Sequence, residues 1–595
     1  MHRVIHPRKI TPRQLIEQIL EKPIYAIDTE TSGNIKKMSV YDDRIQPVYI
    51  SYWSNEGNGD VVRVGSKECD DLIENIIKNP KIVKVVWRAL FDIPVLEKIE
   101  AKPQGTLLDG LLIAQTVHRS EQRFGLKDFS KIYLDDRYDE EDQLRRFMVM
   151  NKIKEYGDVP YEHMYAYALK DAKNAFELTY LMLMRALDSL DDDFCNTIVL
   201  EHQLLPVVLD MCGEGINIDA NRVKDLTLAA GIGISNLKAK ILKKLKNPKL
   251  NLRSPKQLVA TLWPDGNYPR YTKKGTPSTD GLSLLLDGRP VCRAIAKVRQ
   301  AEKAVTTYLR PLGSLPINGR LHCNLNQSAA ITGRFSSSGP NLQNQPRPGT
   351  STLGRIRECY VAPKGFTLVS GDFDQIEIRL LAHESNDPDM INAILNGEDI
   401  HHNTCVKLFH LDKGDEGYDE YRYIAKQSNF MAIYGVGATK FVNHILEMTE
   451  GKIRLTVSQG RNILDVWWAE HPYAANLKND LLSEAAIKGG ITTYGGRFIP
   501  VEDAKDHAIL NYKIQGSAAV VMKKALIRVA RFLKDKKSRM LLTVHDEILF
   551  KIHNSEIEIV SDLKNLMEDT KTFRVPLTVS MKQGQTWGTM QKLTV

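Results

Sequence analysis

Residues 541–550 read LLTVHDEILF, and in them two adjacent carboxylates, Asp546 and Glu547, follow His545 inside a run apolar and β-branched enough to be a buried strand. Burying an unpaired carboxylate is costly, and a second one beside it adds repulsion. The stretch therefore calls for a compensating partner. FTLVSGDFDQIEIRLLAH, residues 366–383, offers one: Asp372 stands where a second apolar strand ends, with Glu377 and Arg379 further along. On neighbouring strands Asp372 and Asp546 can share divalent cations, the arrangement that holds attacking and leaving oxygens in phosphoryl transfer. The competing reading is an Asp-Glu hairpin turn beside an unrelated loop acid.

The 595 residues exceed what one core fills, and ordinary domain sizes give roughly three to five domains. Hydrophobic residues at 43% and charged residues at 26% are usual for a soluble globular chain. The net charge of +8 is concentrated: residues 236–257 carry Lys238, Lys240, Lys243, Lys244, Lys246, Lys249, Arg253 and Lys256 with no acid, a pattern that fits contact with phosphates. Seven scattered cysteines without a CxxC pair argue against a disulfide framework or zinc ribbon and for a reducing compartment. No apolar run approaches the ~20 residues that span a bilayer. The start, MHRVIHPRKITPRQ, has no apolar signal core, so secretion is not expected, and a transit peptide is the alternative.

Along the chain, IYAIDTET, PVYISYW and KIVKVVW alternate with helical runs, which reads as an α/β domain ending near residue 190. A helix then runs up to Gly213 and Gly215, the basic stretch and another helix follow, and a larger, mostly helical α+β unit begins near residue 311. In YRYIAKQSNFMAIYG, residues 421–435, Arg422, Lys426, Phe430 and Tyr434 recur every four residues. On a helix they share one face, with cations for a triphosphate and rings for stacking on a base; an ordinary amphipathic helix is the alternative. No GxxxxGK[ST] is present, which disfavours a P-loop enzyme. In the first domain Asp28 and Glu30 lie two apart on a strand, WRALFDIPVL adds Asp92, and YALKD sets Tyr167 and Asp171 four apart on a helix. Four acids and a tyrosine in this order can hold two metals and orient a water for phosphodiester hydrolysis.

SGDFDQIEIR, RYIAKQSNFMAIYG and LLTVHDEILF resemble, in order, the three polymerase signatures of family A DNA polymerases of the bacterial DNA polymerase I type. TGRFSSSGPNLQNQP (332–346) resembles that family's template and primer contact loop, and DIHHNTCVKLF, TTYGGRFIP and NYKIQGSAA match further family stretches. The N-terminal set resembles the DEDDy 3′-5′ exonucleases that accompany such polymerases, and FGLKDFSKIYL the helix before their third motif. The resemblance implies an α/β RNase H-like exonuclease domain (1–190) and an α+β right-hand polymerase domain: thumb 191–310, palm 311–385 and 501–595, fingers 386–500. It makes Asp372 and Asp546 the polymerase metal ligands, with Glu547 beside the primer terminus. Arg347, Gln375, His401, Arg422 and Lys426 fall on positions that bind the incoming dNTP, and Lys426 can protonate the leaving pyrophosphate. Glu377 matches the steric gate against ribose, Phe430 the position that discriminates against dideoxynucleotides when it is Phe, and Tyr434 the stacking ring at the insertion site. Arg334, Asn341, Gln343, Gln515 and His545 match DNA contacts, joined by Lys243 and Lys244. Asp28, Glu30, Asp92 and Asp171 are the implied exonuclease metal ligands and Tyr167 its tyrosine, with Asp109 in support.

Two departures stand out. Asp374 replaces a small polar residue and shares the Asp372 face if the strand continues; Arg88 stands where the family has Asn, which puts exonuclease strength in question. The implied partners are primer-template DNA, dNTPs and two Mg²⁺ per active site, with Mn²⁺ able to substitute. A monomer without membrane association is expected, in the cytoplasm of a bacterial or virus-infected cell, with an organelle as the alternative. With no 5′-nuclease domain before residue 1 and little room for a processivity insertion, a compact viral or large-fragment-like enzyme is expected. An accessory nucleic-acid-binding protein would predict loss of the metal acids, and a lone exonuclease leaves residues 311–595 without a purpose.

Overall fold

The computed structural model describes residues 10–33, 39–118, 124–135, 139–189, 192–349, 353–501 and 503–594. The expectations about the chain's first nine residues and the boundary placed at residue 190 lie outside the described residues.

The N-terminal unit is built on a five-stranded sheet. Its centre is β1 (Ile24–Ser32), flanked on one side by antiparallel β2 (Gln46–Ser54) and β3 (Gly59–Arg63), and on the other by parallel β4 (Val83–Val86) and β5 (Leu107–Asp109). Alternation along β1 sends Ile24 and Ala26 into a core with Leu178 and Met182, and Ile27 into one with Ile93 and Leu96 on the opposite face. Helices on both faces therefore cover the parallel half, as such sheets require.

The helix Asp193–Glu214 follows and ends at Gly215, whose φ of +63° suits glycine. Further on, helix Ala220–Lys244 carries Lys243 and Lys244 in its last turn. The basic stretch has no acid of its own, yet Glu302 from a facing helix accepts from both Lys238 and Arg253. Lys240, Lys243, Lys244, Lys246 and Lys249 are exposed. Residues between Ile241 and Val298 close a core of their own around Leu258 and Trp263, and Ile424, Phe441 and Leu464 belong to another.

A second five-stranded sheet, antiparallel throughout, carries the opening stretch. Its order is Arg539–Val544, Glu547–His553, Phe366–Phe373, Val579–Gly584, Gln591–Leu593. LLTVHDEILF is thus not one strand but a hairpin. His545, at φ +55°, reverses the chain, so the two apolar halves pair with each other and Asp546 stands in the turn. The neighbouring strand stops at Phe373, and Asp374 just beyond it stays beside Asp372: its carboxylate accepts from the hydroxyls of Thr578 and of Ser580, the residue paired with Asp372, at 3.0 and 2.6 Å. Helix Ile509–Leu533 supplies Val521 and Leu526 to the core that Leu368, Ile548 and Phe550 share.

Two candidate active sites

In the C-terminal unit the register sets Asp372 directly opposite Glu547, and the Phe373 amide donates to the Asp546 carbonyl at 3.0 Å. Three carboxylates therefore meet at one end of the sheet. Burial, with Glu377 and Asp372 nearby, pushes the Asp546 carboxyl up to about 7 against the pull of Arg334, 3.8 Å away. Burial and Glu547 likewise raise Asp372, opposed by Lys582 at 3.9 Å. Glu547 is held differently: the Trp587 indole donates to it at 3.1 Å and Arg357 at 3.4 Å, and the Arg357 guanidinium also lies 3.9 Å over the Trp587 ring. Gln343 clasps the hairpin turn from below, its amide donating to the Thr543 carbonyl at 2.6 Å and its oxygen accepting from the His545 amide at 3.1 Å. Its buried carboxamide is thus spent on backbone, which makes it a support of the turn. Burial and the cations Arg334, Arg347 and Arg357 lower the His545 pKa.

Helix Tyr418–Ile433 presents Arg422, Lys426 and Phe430 along one face and ends on Tyr434. Arg422 donates twice to Asp399, at 3.0 and 2.5 Å, while the other Asp399 oxygen caps the helix that carries His401. His401 is buried, its pKa lowered to about 4 by burial and then by Lys426. Its Nδ1 accepts from Asn429 at 3.1 Å, which leaves the proton on Nε2. The Tyr434 hydroxyl donates to buried Glu377 at 3.1 Å, Arg334 meets the same carboxylate at 2.5 Å, and Gln515 reaches Tyr434. Beyond Tyr434, Gly435 turns the chain at φ +62°, with the His507 carbonyl where a Cβ would stand. Arg347, Asn341 and Gln375 are exposed, the last at φ +49° before helix Ile376–Ser385.

In the N-terminal unit, carboxylate oxygens of Asp28, Glu30 and Asp171 lie within 4.8 Å of one another. Asp92 is buried beside them and accepts from the Thr29 hydroxyl at 2.8 Å. Burial first, then mutual repulsion, raises these acids: Asp28 well above its usual range and Glu30 to about 8. Asp92 rises to about 7, also chiefly through burial. Lys127 opposes the shifts of Asp28 and Glu30, donates to the Tyr167 hydroxyl at 3.0 Å, and sits 4.6 Å from the Tyr167 ring centre. Asp109 supports from behind: it caps the helix starting at Gly110 and accepts from Ala89 at 2.9 Å, at the start of the helix that carries Asp92. Arg88 is exposed at that helix's N-terminus, and its charge partly offsets the burial that raises Asp92 and lifts Asp109 to about 6.

Carboxyls held toward neutrality by burial first and by one another second mark negative charge that the nearby cations only partly offset, and a divalent cation suits both acid sets. Lys582, Lys127, Arg357 and Trp587 escaped the sequence reading, because their meaning comes from residues far away in the chain. Lys127 alone had a local cue, its place in FGLKDFSKIYL.

The comparison with protein families is decisive for the C-terminal unit: residues 220–589 match the model of DNA polymerase family A. The chain belongs to DNA polymerase family A. Residues 5–186 match a 3′-5′ exonuclease model, so a family A polymerase unit follows an exonuclease domain, as expected. Similar proteins include DNA polymerase I of Deinococcus radiodurans, 32% identical over 426 residues, which are 68% of this chain and 43% of that protein. Thermostable DNA polymerase I of Thermus aquaticus is 32% identical over 408 residues, 65% of this chain and 48% of that protein. DNA polymerase I of Chloroflexus aurantiacus is 29% identical over 614 residues, 97% of this chain and 62% of that protein. The chain therefore spans about half the length of such relatives. Among solved structures, the POL domain of Pol1 from M. smegmatis, in complex with DNA primer-template and dNTP, has the same fold. Its TM-score is 0.80 at 24% identity, covering 98% of this chain and 99% of that one.

Proposed function

We propose that the chain is a template-directed DNA polymerase that extends a primer 3′-hydroxyl with dNTPs and proofreads with its 3′-5′ exonuclease. The observation that carries this reading is the meeting of Asp372, Asp546 and Glu547 at the end of one sheet in a chain of this family. We read residues 1–190 as exonuclease, 191–310 as thumb, 311–385 and 501–595 as palm, and 386–500 as fingers. Asp372 and Asp546 would hold two Mg²⁺, and Asp28, Glu30, Asp92 and Asp171 two more. Bound there, the cations activate the attacking oxygen and steady the leaving one.

The protein's own groups do the rest. Arg422, Lys426 and Arg347 neutralise the triphosphate, and Lys426 gives a proton to the departing pyrophosphate. His401, neutral at pH 7, donates Nε2–H instead of adding charge. Glu377 is pinned by Arg334 and Tyr434, so it can crowd a ribose 2′-hydroxyl without swinging aside. Tyr434 stacks at the insertion site, Phe430 excludes dideoxynucleotides, and Gln375 completes the dNTP pocket. Arg334 and Gln515 read the minor groove, whose acceptors are shared by all correct pairs, and Asn341 joins them. Gln343 and His545 shape the primer end; Lys243 and Lys244 meet the duplex backbone. In the exonuclease, Tyr167 orients the attacking water, with Lys127 holding its hydroxyl. Work as a monomer in the cytoplasm of a bacterial or virus-infected cell completes the reading.

Primer extension with dNTPs and Mg²⁺, on matched and mismatched termini, tests it. Extension of both, with trimming of the mismatch lost in Asp28→Ala/Glu30→Ala while extension survives, is expected. No extension by the intact chain sinks the polymerase reading, and trimming that persists in the double variant sinks the exonuclease site.

A further inference from the structure

Behind the polymerase site lies a sealed group of charges that the proposed chemistry does not use. Glu201, on helix Asp193–Glu214, is fully buried, and so are its partners Arg497 and Lys523. Arg497 Nη2 and Lys523 Nζ both meet Glu201 Oε1, the latter at 2.5 Å. The Gln327 amide donates to Glu201 Oε2 at 2.8 Å, and Lys523 donates to the Gln327 carbonyl at 2.7 Å. Arg497 also reaches the Ser328 hydroxyl at 3.4 Å. A buried ion group of this kind is a poor source of stability, since apolar replacements are often neutral or better. Its contacts indicate another role.

Several of its contacts fall on the loop that leads into Arg334. Gln327 and Ser328 fix its start. At its end the Arg497 guanidinium lies against Gly333: a Cβ there would stand 2.5 Å from both Cζ and Nε, and Gly333 adopts φ +72°. Arg497 Nε, facing that glycine, has no hydrogen-bond partner among the described residues. The next residue, Arg334, meets Glu377 at 2.5 Å and Asp546 at 3.8 Å.

We infer that Arg497, set by Glu201, is a positioning residue for polymerisation: its planar guanidinium braces Gly333 and thereby aims Arg334 at the nascent base pair. A lysine at 497 keeps the charge toward Glu201 but cannot also press a flat surface on Gly333 and reach Ser328. The inference rests on the polymerase reading above.

The test is a double-mutant cycle of Arg497→Lys and Arg334→Ala, read by single-nucleotide extension from matched and mismatched termini, with single-stranded DNA degradation as the control. Arg497→Lys is expected to slow matched extension roughly ten- to a hundredfold, the scale of a misplacement of about 1 Å. Mismatched extension falls less, so discrimination narrows, and degradation is unchanged. In the Arg334→Ala background the Arg497 substitution adds less than about twofold, because both act through one contact. Multiplying effects overturn the brace, as does an equal loss on both termini or an unaffected Arg497→Lys. Should that variant not fold, Glu201→Met/Arg497→Met/Lys523→Met removes the charges together and enters the same cycle. Failure of the unsubstituted chain to extend any primer defeats the underlying reading instead.

Discussion

Asp546 and Glu547 are neighbours in sequence and opposites in setting. Glu547 is fastened by Trp587 and Arg357, whereas Asp546 stands in the hairpin turn with its carboxyl pushed up to about 7 by burial. Asparagine is nearly isosteric but cannot supply the charge a divalent cation needs. Asp546→Asn is therefore expected to retain the fold by circular dichroism and lose several kcal/mol of transition-state stabilisation, at least about a hundredfold in extension rate. A rate within tenfold of the unsubstituted chain sinks the ligand role. Asp372 and Asp546 were legible because carboxylates in apolar runs demand an explanation wherever they occur. What fastens Glu547 was not: Trp587 is 40 residues and Arg357 190 residues away in the chain, and nothing local marks either. Asp374 adds an acid beside Asp372 although the strand stops one residue before it, and its hydroxyl partners Thr578 and Ser580 lie more than 200 residues on, beyond any local cue.

At the scale of elements, four-residue spacing gave helix Tyr418–Ile433 its face directly, while alternation could not separate one strand from a hairpin of two. Both halves of LLTVHDEILF are apolar, and a left-handed histidine is not a recognisable turn signal. Helix Asp193–Glu214 was readable up to its glycine stop, but not as a brace. Glu201 answers Arg497 and Lys523 across 296 and 322 residues, and the next residue, His202, accepts from the Asp109 amide at 3.0 Å beneath the exonuclease acids. One helix thus steadies both sites. The end of helix Tyr418–Ile433 makes a sharper prediction. Gly435→Ala requires a left-handed alanine against the His507 carbonyl, costing about 1–3 kcal/mol and displacing Tyr434 next to it. Urea denaturation is expected to show that loss, with KM for dNTP raised and single-stranded DNA degradation untouched. Unchanged stability and KM defeat the argument that this turn sets Tyr434.

Across the whole molecule the two acid sets make stability depend on pH and metal together. Burial holds Glu30 at about 8, Asp92 at about 7 and Asp546 at about 7, all above their unfolded values. Between those unfolded values and pH 8 the folded chain binds more protons than the unfolded one, so the stability these groups contribute is complete in acid and is lost as pH rises. Buried histidines work the other way: His118, His202 and His401, lowered to about 4 by burial, favour the folded state as pH climbs toward their unfolded value, about 6.5. The two trends oppose each other in mild acid and separate above it. From pH 6.5 to 8 the carboxyls dominate, each worth at most about 1.4 kcal/mol per pH unit, opposed by the tail of the histidine titration and by Lys84, which burial lowers to about 8. Without divalent metal, thermal unfolding is therefore expected at a lower temperature at pH 8 than at pH 6.5. Mg²⁺, which binds the ionised acids, should raise the unfolding temperature more at pH 8, and Asp28→Ala/Glu30→Ala should flatten both the slope and the metal response. A metal-free midpoint that climbs between pH 6.5 and 8, or a Mg²⁺ gain unaltered in the double variant, contradicts this account of how the charge is compensated.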